Sequence, residues 1–184
     1  MIETLETERL VLRPFTPDDL DDLTRLHAEP SFWWFPLRRA MRPDETAGFM
    51  DRLIADYASP DRPGFHAVVE RDGGSLAGWA GLSVPTFLPE VLPAVEVGWR
   101  LGERFRGRGY ATEAAAASLG WGFGPLGLDS VLSIFEPENV PSGRVMDRLG
   151  FDAGFETTHP DRSHLLRVRT LAAADWATDP AHGG

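Results

Sequence analysis

The stretch Arg106-Gly107-Arg108-Gly109-Tyr110-Ala111-Thr112 combines residue types that bind anions. It stands between an apolar, strand-like run, Val95-Glu96-Val97-Gly98-Trp99-Arg100-Leu101, and a helix-forming run that starts near Tyr110. A strand, a turn rich in Gly and Arg, and a helix start bring several backbone N–H groups to one point. The first N–H groups of a helix lack an internal acceptor, and the helix dipole adds positive potential there. Gly107 and Gly109 carry no Cβ to block a ligand and tolerate positive φ. Arg106 and Arg108 add the capacity for charge-assisted hydrogen bonds. A diphosphate-bearing ligand suits such a cradle, although a Gly–Arg-rich turn can also do no more than end a strand.

Other chemistries fit less well. A dinucleotide fingerprint would use Gly107 and Gly109, with Asp129 downstream, but its third glycine place holds Thr112 and repeated βαβ units are missing. Ala116-Ala117-Ser118-Leu119-Gly120 faintly echoes a nucleophile elbow, yet it falls inside a helix rather than at a strand-to-helix turn. Cysteine is absent, which excludes disulfides, Cys-ligated metal and a thiol nucleophile. All 18 basic residues are Arg; without Lys there is neither a Walker A loop nor a Schiff base.

The elements that must position the cradle alternate along 184 residues without internal repeats. Strands are expected at 9–15, 65–70, 76–84, 95–101, 131–135, 151–157 and 165–171. Helices are expected from Pro17, from Pro43 to about Tyr57, from Tyr110 to Phe123 and from Pro141 to Leu149. Thr16 caps the first helix, Leu20, Leu23 and Leu26 form its apolar stripe, and Asp18, Asp19, Asp21 and Asp22 form a solvated face. Asp72-Gly73-Gly74 reads as a hairpin turn. This order describes a mixed α/β sheet covered by helices, in one domain over residues 1–171 with a loosely ordered tail at 172–184.

A net charge of −10 disfavours nonspecific binding to nucleic acid. It would attract a cationic substrate, or simply keep the chain soluble. No apolar run approaches the roughly 18 residues of a membrane helix. The opening MIETLETERL lacks a signal-peptide layout, so a cytoplasmic protein without membrane attachment is expected, as monomer or homodimer.

The cradle resembles the acyl-CoA-binding motif of the GNAT superfamily of N-acetyltransferases, Gln/Arg-x-x-Gly-x-Gly/Ala, with Arg106, Gly109 and Ala111 in its fixed places. A second block, Asn139-Val140-Pro141-Ser142 through Leu149-Gly150-Phe151, is similar to that family's Asn-x-x-Ser/Ala…Leu-Gly-Phe segment. The opening Thr7-Glu8-Arg9-Leu10-Val11-Leu12-Arg13 resembles the branch that acetylates ribosomal-protein N-termini. The resemblance covers about Leu5 to Leu171. It implies a seven-stranded mixed sheet with a V-shaped split between its fourth and fifth strands, about four flanking helices, and acetyl-CoA as cosubstrate without metal. The cosubstrate would run along Val97, Gly98, Trp99 and Leu101, its pyrophosphate held by Arg106, Gly107, Arg108, Gly109, Tyr110, Ala111 and Thr112. Asn139 would pair with pantetheine amides or, read locally, make an Asx turn.

Direct acetyl transfer needs a neutral amine, an oxyanion donor and a partner for the departing thiolate. Within the resemblance, Glu96 is the first candidate base and His66 a lower-ranked one; as isolated residues they also read as an ordinary paired Glu and a packed His. The oxyanion donor is expected to be the N–H of Val97 or Gly98. Many family members carry a Tyr where Met146 stands, and Met has no proton to give. Ser142 then becomes the candidate hydrogen-bond donor to the CoA sulfur, its local alternative being a helix cap. Trp33, Trp34 and His66 are candidates for the acceptor pocket; the aromatics of Ser31–Pro36 could instead close the core. The acceptor is expected to be a protein N-terminus or a small amine. The rival class is a noncatalytic acyl-CoA-binding or sensing domain.

Overall fold

The computed structural model describes residues 3–33, 38–57 and 63–178. Within them eight strands form one sheet in the order β1-β2-β3-β4-β5-β6-β8-β7. The strands are β1 (Leu5–Glu6), β2 (Leu10–Arg13), β3 (Phe65–Glu70), β4 (Leu76–Ser83), β5 (Glu96–Leu101), β6 (Ser130–Phe135), β7 (Phe155–Thr158) and β8 (Leu165–Ala172). The helices are α1 (Leu20–His27), α2 (Pro43–Asp56), α3 (Tyr110–Phe123), α4 (Val140–Arg148) and α5 (Ala173–Thr178). Every neighbouring pair is antiparallel except β5 and β6.

The expected order of elements is thus present, with two additions. The two-residue β1 is too short for an alternating pattern to announce it. Residues 173–178, expected within a loose tail, form α5, which the Ala173 N–H fastens to the Asp129 carbonyl and Trp176 packs against Phe123. The first helix opens as a 3-10 turn over Pro17–Asp19. Asp19 is not on a solvated face: it is buried and accepts bonds from both Arg13 nitrogens at 2.7 and 2.8 Å and from the Thr16 N–H. Burial alone would raise its carboxyl; those bonds outweigh that and hold it below its ordinary range.

Register assigns each residue to a face. Phe65, Gly81 and Gly98 lie side by side across β3, β4 and β5, and so do His66, Ala80 and Trp99 on the opposite face. Phe65 packs on Trp79, which meets Phe49 of α2, whereas His66 packs on Trp121 of α3. β4 is therefore covered on both sides and buried along nearly its whole length. Ala114, Ala115 and Ser118 give α3 a small-residue face buried against the sheet. The loop after β4 folds over β6 and β8, where Leu88 joins Leu132 and Val168.

Two histidines in this core are fully buried. His27 meets the Thr46 hydroxyl at 3.0 Å, and His66 meets the Glu3 carbonyl at 2.8 Å. Burial, helped by the Arg100 charge, pushes His27 down to about 3; burial pushes His66 down to about 4. The unfolded chain takes up these protons near pH 6.5, so the stabilising preference for neutral rings is complete above that pH. It is lost as pH falls from about 6.5 toward 4. We expect denaturant midpoints to drop across that window, by up to roughly 1.4 kcal/mol per pH unit per histidine. A His66→Gln variant should flatten the profile; an unchanged slope would locate the acid sensitivity elsewhere.

Candidate active site

β5 and β6 meet at a single residue pair, Glu96 with Leu132. There the Leu132 N–H donates to the Val95 carbonyl at 2.9 Å, and the Ser133 hydroxyl donates to the Val97 carbonyl at 3.0 Å. Beyond that point the ladder stops, while β4 stays paired with β5 through Leu101 and β8 with β6 through Phe135. The result is an opening between two parallel strands, with its vertex at Glu96. It corresponds to the expected split, moved to the fifth and sixth strands by the added β1.

Backbone parity decides which groups face this opening. The Gly102 N–H donates to the Ala77 carbonyl, so even-numbered residues of β5 point their N–H and C=O groups at β4. Gly98 is therefore committed to β4. Val97 faces β6, but the Glu96–Leu132 register sets its N–H opposite the Leu132 carbonyl. The first N–H toward the opening is that of Trp99, not those of Val97 or Gly98. Leu101 follows; its carbonyl accepts from Arg106 Nε at 3.0 Å.

At the wide end of the opening stands the Gly–Arg turn. Gly107 and Gly109 have φ of 71° and 83°, a region that side-chain-bearing residues rarely adopt, and Gly109 is the N-cap of α3. The N–H groups of Gly107, Arg108, Gly109, Tyr110, Ala111 and Thr112 find no acceptor among the described residues. A Cβ built on Gly107 would meet open space. These groups fit a pyrophosphate. The helix start is held in place by Glu113, which accepts from the Thr7 hydroxyl at 2.6 Å and from the Arg9 N–H at 2.8 Å. The Thr7–Arg13 block thus positions the cradle from 100 residues away.

The arginines of the turn serve it differently than expected. Arg106 donates to the Leu101 and Ser31 carbonyls, bracing the turn, and Arg108 pairs with Glu70 at 2.7 Å. Arg9, read from the sequence only as part of the Thr7–Arg13 block and not of the cradle, donates to the Arg108 carbonyl and lies 5.0 Å from the Tyr110 ring centre.

Glu96 is partly buried, and no described residue offers it a hydrogen bond or counter-charge. Burial pushes its carboxyl up to about 8, so most of it is protonated near neutral pH. A side chain at Gly98 would come 3.4 Å from the Phe65 ring and 3.8 Å from Glu96 Oε1. Gly98 thus leaves a hollow beside the carboxyl, walled by Phe65. Next to it, a cavity of about 210 Å³ is bounded by Phe49, Arg52, Phe65 and Ser83. Ser83 is the cross-strand partner of Glu96.

His66 is not brought to this hollow. It lies on the other face, fully buried, and is neither base nor pocket wall. Trp34 lies outside the described residues, as does the side chain of Trp33. Phe32 is core, packed on His27, with Arg100 donating to its carbonyl. Asn139 is the N-cap of α4, its Oδ1 accepting from the Ser142 N–H at 3.4 Å. The cap is therefore Asn139, and the Ser142 hydroxyl makes no hydrogen bond within the described residues. Met146 is fully buried among Leu119, Val145 and Leu149. Arg38 donates to both carboxylate oxygens of Glu136 at 2.8 Å, tying the loop before α2 to the residue that follows β6. Among the described residues no cluster of three or more potential metal ligands occurs, and no helix is long and apolar enough to cross a membrane.

Residues 9–152 match the profile of the Acetyltransferase (GNAT) domain. The chain is 42% identical over 146 residues to the uncharacterized N-acetyltransferase YnaD of Bacillus subtilis, covering 79% of this chain and 81% of that one. It is 27% identical over 150 residues to the uncharacterized N-acetyltransferase p20 of Bacillus licheniformis, covering 82% and 83%. Among solved structures, an acetyltransferase from Agrobacterium tumefaciens superposes with a TM-score of 0.76 at 29% identity over 93% of this chain and 95% of that one. RimL, a ribosomal L7/L12 alpha-N-protein acetyltransferase in complex with coenzyme A, shares the fold at a TM-score of 0.77 and 14% identity, over 95% and 99%.

Proposed function

The chain belongs to the GNAT acetyltransferase family, and we propose that it moves the acetyl group of acetyl-CoA directly to a primary amine at Glu96. The observation that carries this reading is the uncompensated carboxyl of Glu96 at the vertex of an opening whose far end is an anion cradle. Pantetheine lies between β5 and β6, its pyrophosphate on the N–H groups of 107–112. Ionised Glu96 takes a proton from the ammonium, directly or through one water. The freed nitrogen lone pair attacks the thioester carbonyl carbon, and the Trp99 N–H donates to the developing oxyanion. The carbonyl then re-forms as the C–S bond breaks, the second nitrogen proton passes to the departing sulfur so that CoA leaves as a thiol, and Glu96 returns its proton to solvent. The acceptor approaches over Gly98 along Phe65 and is a protein N-terminus or a small amine. Steady-state thiol release from acetyl-CoA over a panel of amines and peptide N-termini tests this directly; acetyl-CoA binding without amine-dependent thiol release from any acceptor would reduce the site to a binding domain.

The departing sulfur needs a donor, because a free thiol has a pKa of about 8.5. With Met146 buried and Asn139 already capping α4, the unengaged Ser142 hydroxyl takes that role. Ser142→Ala should slow single-turnover transfer by roughly 10-fold to 10³-fold with nearly intact CoA affinity and melting temperature. An unchanged rate per folded molecule would leave water as the donor.

A further inference from the structure

The chain ends its β5–β6 ladder at Glu96–Leu132, and just beyond that rung one side chain hydrogen-bonds from strand to strand. A parallel ladder continuing past Glu96–Leu132 would next pair Gly98 with Ile134. That rung requires the Val97 carbonyl to accept from the Ile134 N–H and the Trp99 N–H to donate to the Ile134 carbonyl. The rung is not formed. At its first acceptor, the Val97 carbonyl, the Ser133 hydroxyl donates at 3.0 Å. Ser133 is almost fully buried, and its own backbone is engaged with Arg169 of β8. Its hydroxyl therefore has little freedom to leave.

We propose that Ser133 is a positioning residue: its hydroxyl occupies the Val97 carbonyl, stops the two strands from closing by one further rung, and so keeps the Trp99 N–H facing the slot. This rests on the reading of that slot as the acetyl-CoA site. A buried carbonyl that loses its donor seeks another. In a protein lacking the hydroxyl, the nearest donor on the partner strand is the Ile134 N–H. Once that bond forms, the Trp99 N–H is drawn to the Ile134 carbonyl and is no longer available to the thioester oxygen. The slot also begins one residue pair later. Val131 and Leu132, the residues before Ser133 on β6, are buried in the apolar packing of the vertex.

The test is made on the ligand-free protein and on its complex with acetyl-CoA. In Ser133→Ala, hydrogen exchange at the Ile134 and Trp99 amides should slow by about 10-fold or more, because both gain an acceptor. Acetyl-CoA affinity should weaken by about 10-fold, and kcat should fall further than KM rises, because a transition-state donor has been withdrawn. Ser133→Thr keeps a hydroxyl and should restore exchange and kinetics together. Ser133→Cys, a weaker donor of similar volume, should fall between. Unchanged exchange at Ile134 and Trp99 in both Ala and Cys variants would overturn the proposal. A bond that merely stabilised the fold would lower melting temperature and speed exchange throughout β6, which also overturns it. Failure of the parent protein to bind acetyl-CoA would instead sink the reading of the slot, since the exchange result needs no ligand.

Discussion

Gly109→Trp should leave a folded chain with no measurable affinity for acetyl-CoA, a loss of at least about 10²-fold. Gly109 caps α3 with φ of 83° and stands amid N–H groups that have no partner among the described residues. An indole there projects into the space where a pyrophosphate must sit. Two costs have to be separated. Any side chain at this φ strains the backbone by about 1–2 kcal/mol, and a Cβ comes 3.2 Å from an Arg9 nitrogen, the end of a flexible side chain. Gly109→Ala carries both costs without the bulk. The two variants should therefore melt at similar temperatures, and only the Trp form should fail to bind in calorimetry. Equal, undiminished affinity in both would remove the cradle from the account.

Glu96→Gln should lower the transfer rate by about 10²-fold or more near neutral pH while CoA affinity stays close to that of the parent. The sign of the pH dependence follows from the direction of the shift. Burial raises the carboxyl to about 8, so the fraction able to accept a proton is small at pH 6, grows through 7 and 8, and levels above. The parent protein's kcat/KM should rise over that range and flatten beyond it. An acceptor amine of low pKa, already neutral at pH 7, keeps the amine's own titration out of the comparison. With Gln at 96 the carboxyl limb should vanish along with most of the rate. A variant with the parent's rate and profile would move proton removal to a water chain, since His66 is walled off on the other face.

Much of the site was legible because its parts are short-range. A glycine pair, a strand before it and a helix after it lie within the continuous stretch Glu96–Phe123, and local chemistry dictates the turn's conformation: only glycine sits easily at the positive φ of 107 and 109. At α4 the sequence pointed to a cap but offered Ser142 for it, whereas Asn139, three residues earlier, makes the bond. Strand and helix periodicities likewise placed α3 at Tyr110–Phe123 and β3 at Phe65–Glu70, since binary pattern and backbone period must agree.

Tertiary structure decided the rest, because face, register and pairing depend on residues far apart in the chain. Phe65 and His66 are neighbours with equal local claims to a pocket; pairing with Gly81 and Ala80 sends one to the hollow beside Glu96 and buries the other against Trp121. Asp19 reads as one more acid on a helix until Arg13 folds onto it. Arg38 meets Glu136 across 98 residues, and Arg9 reaches the cradle from the opposite end of the domain. Which N–H faces the opening is a matter of parity, set by one bond between Gly102 and Ala77. Composition and spacing carry no record of such pairings, for a period-2 strand presents either face equally well until its neighbours choose.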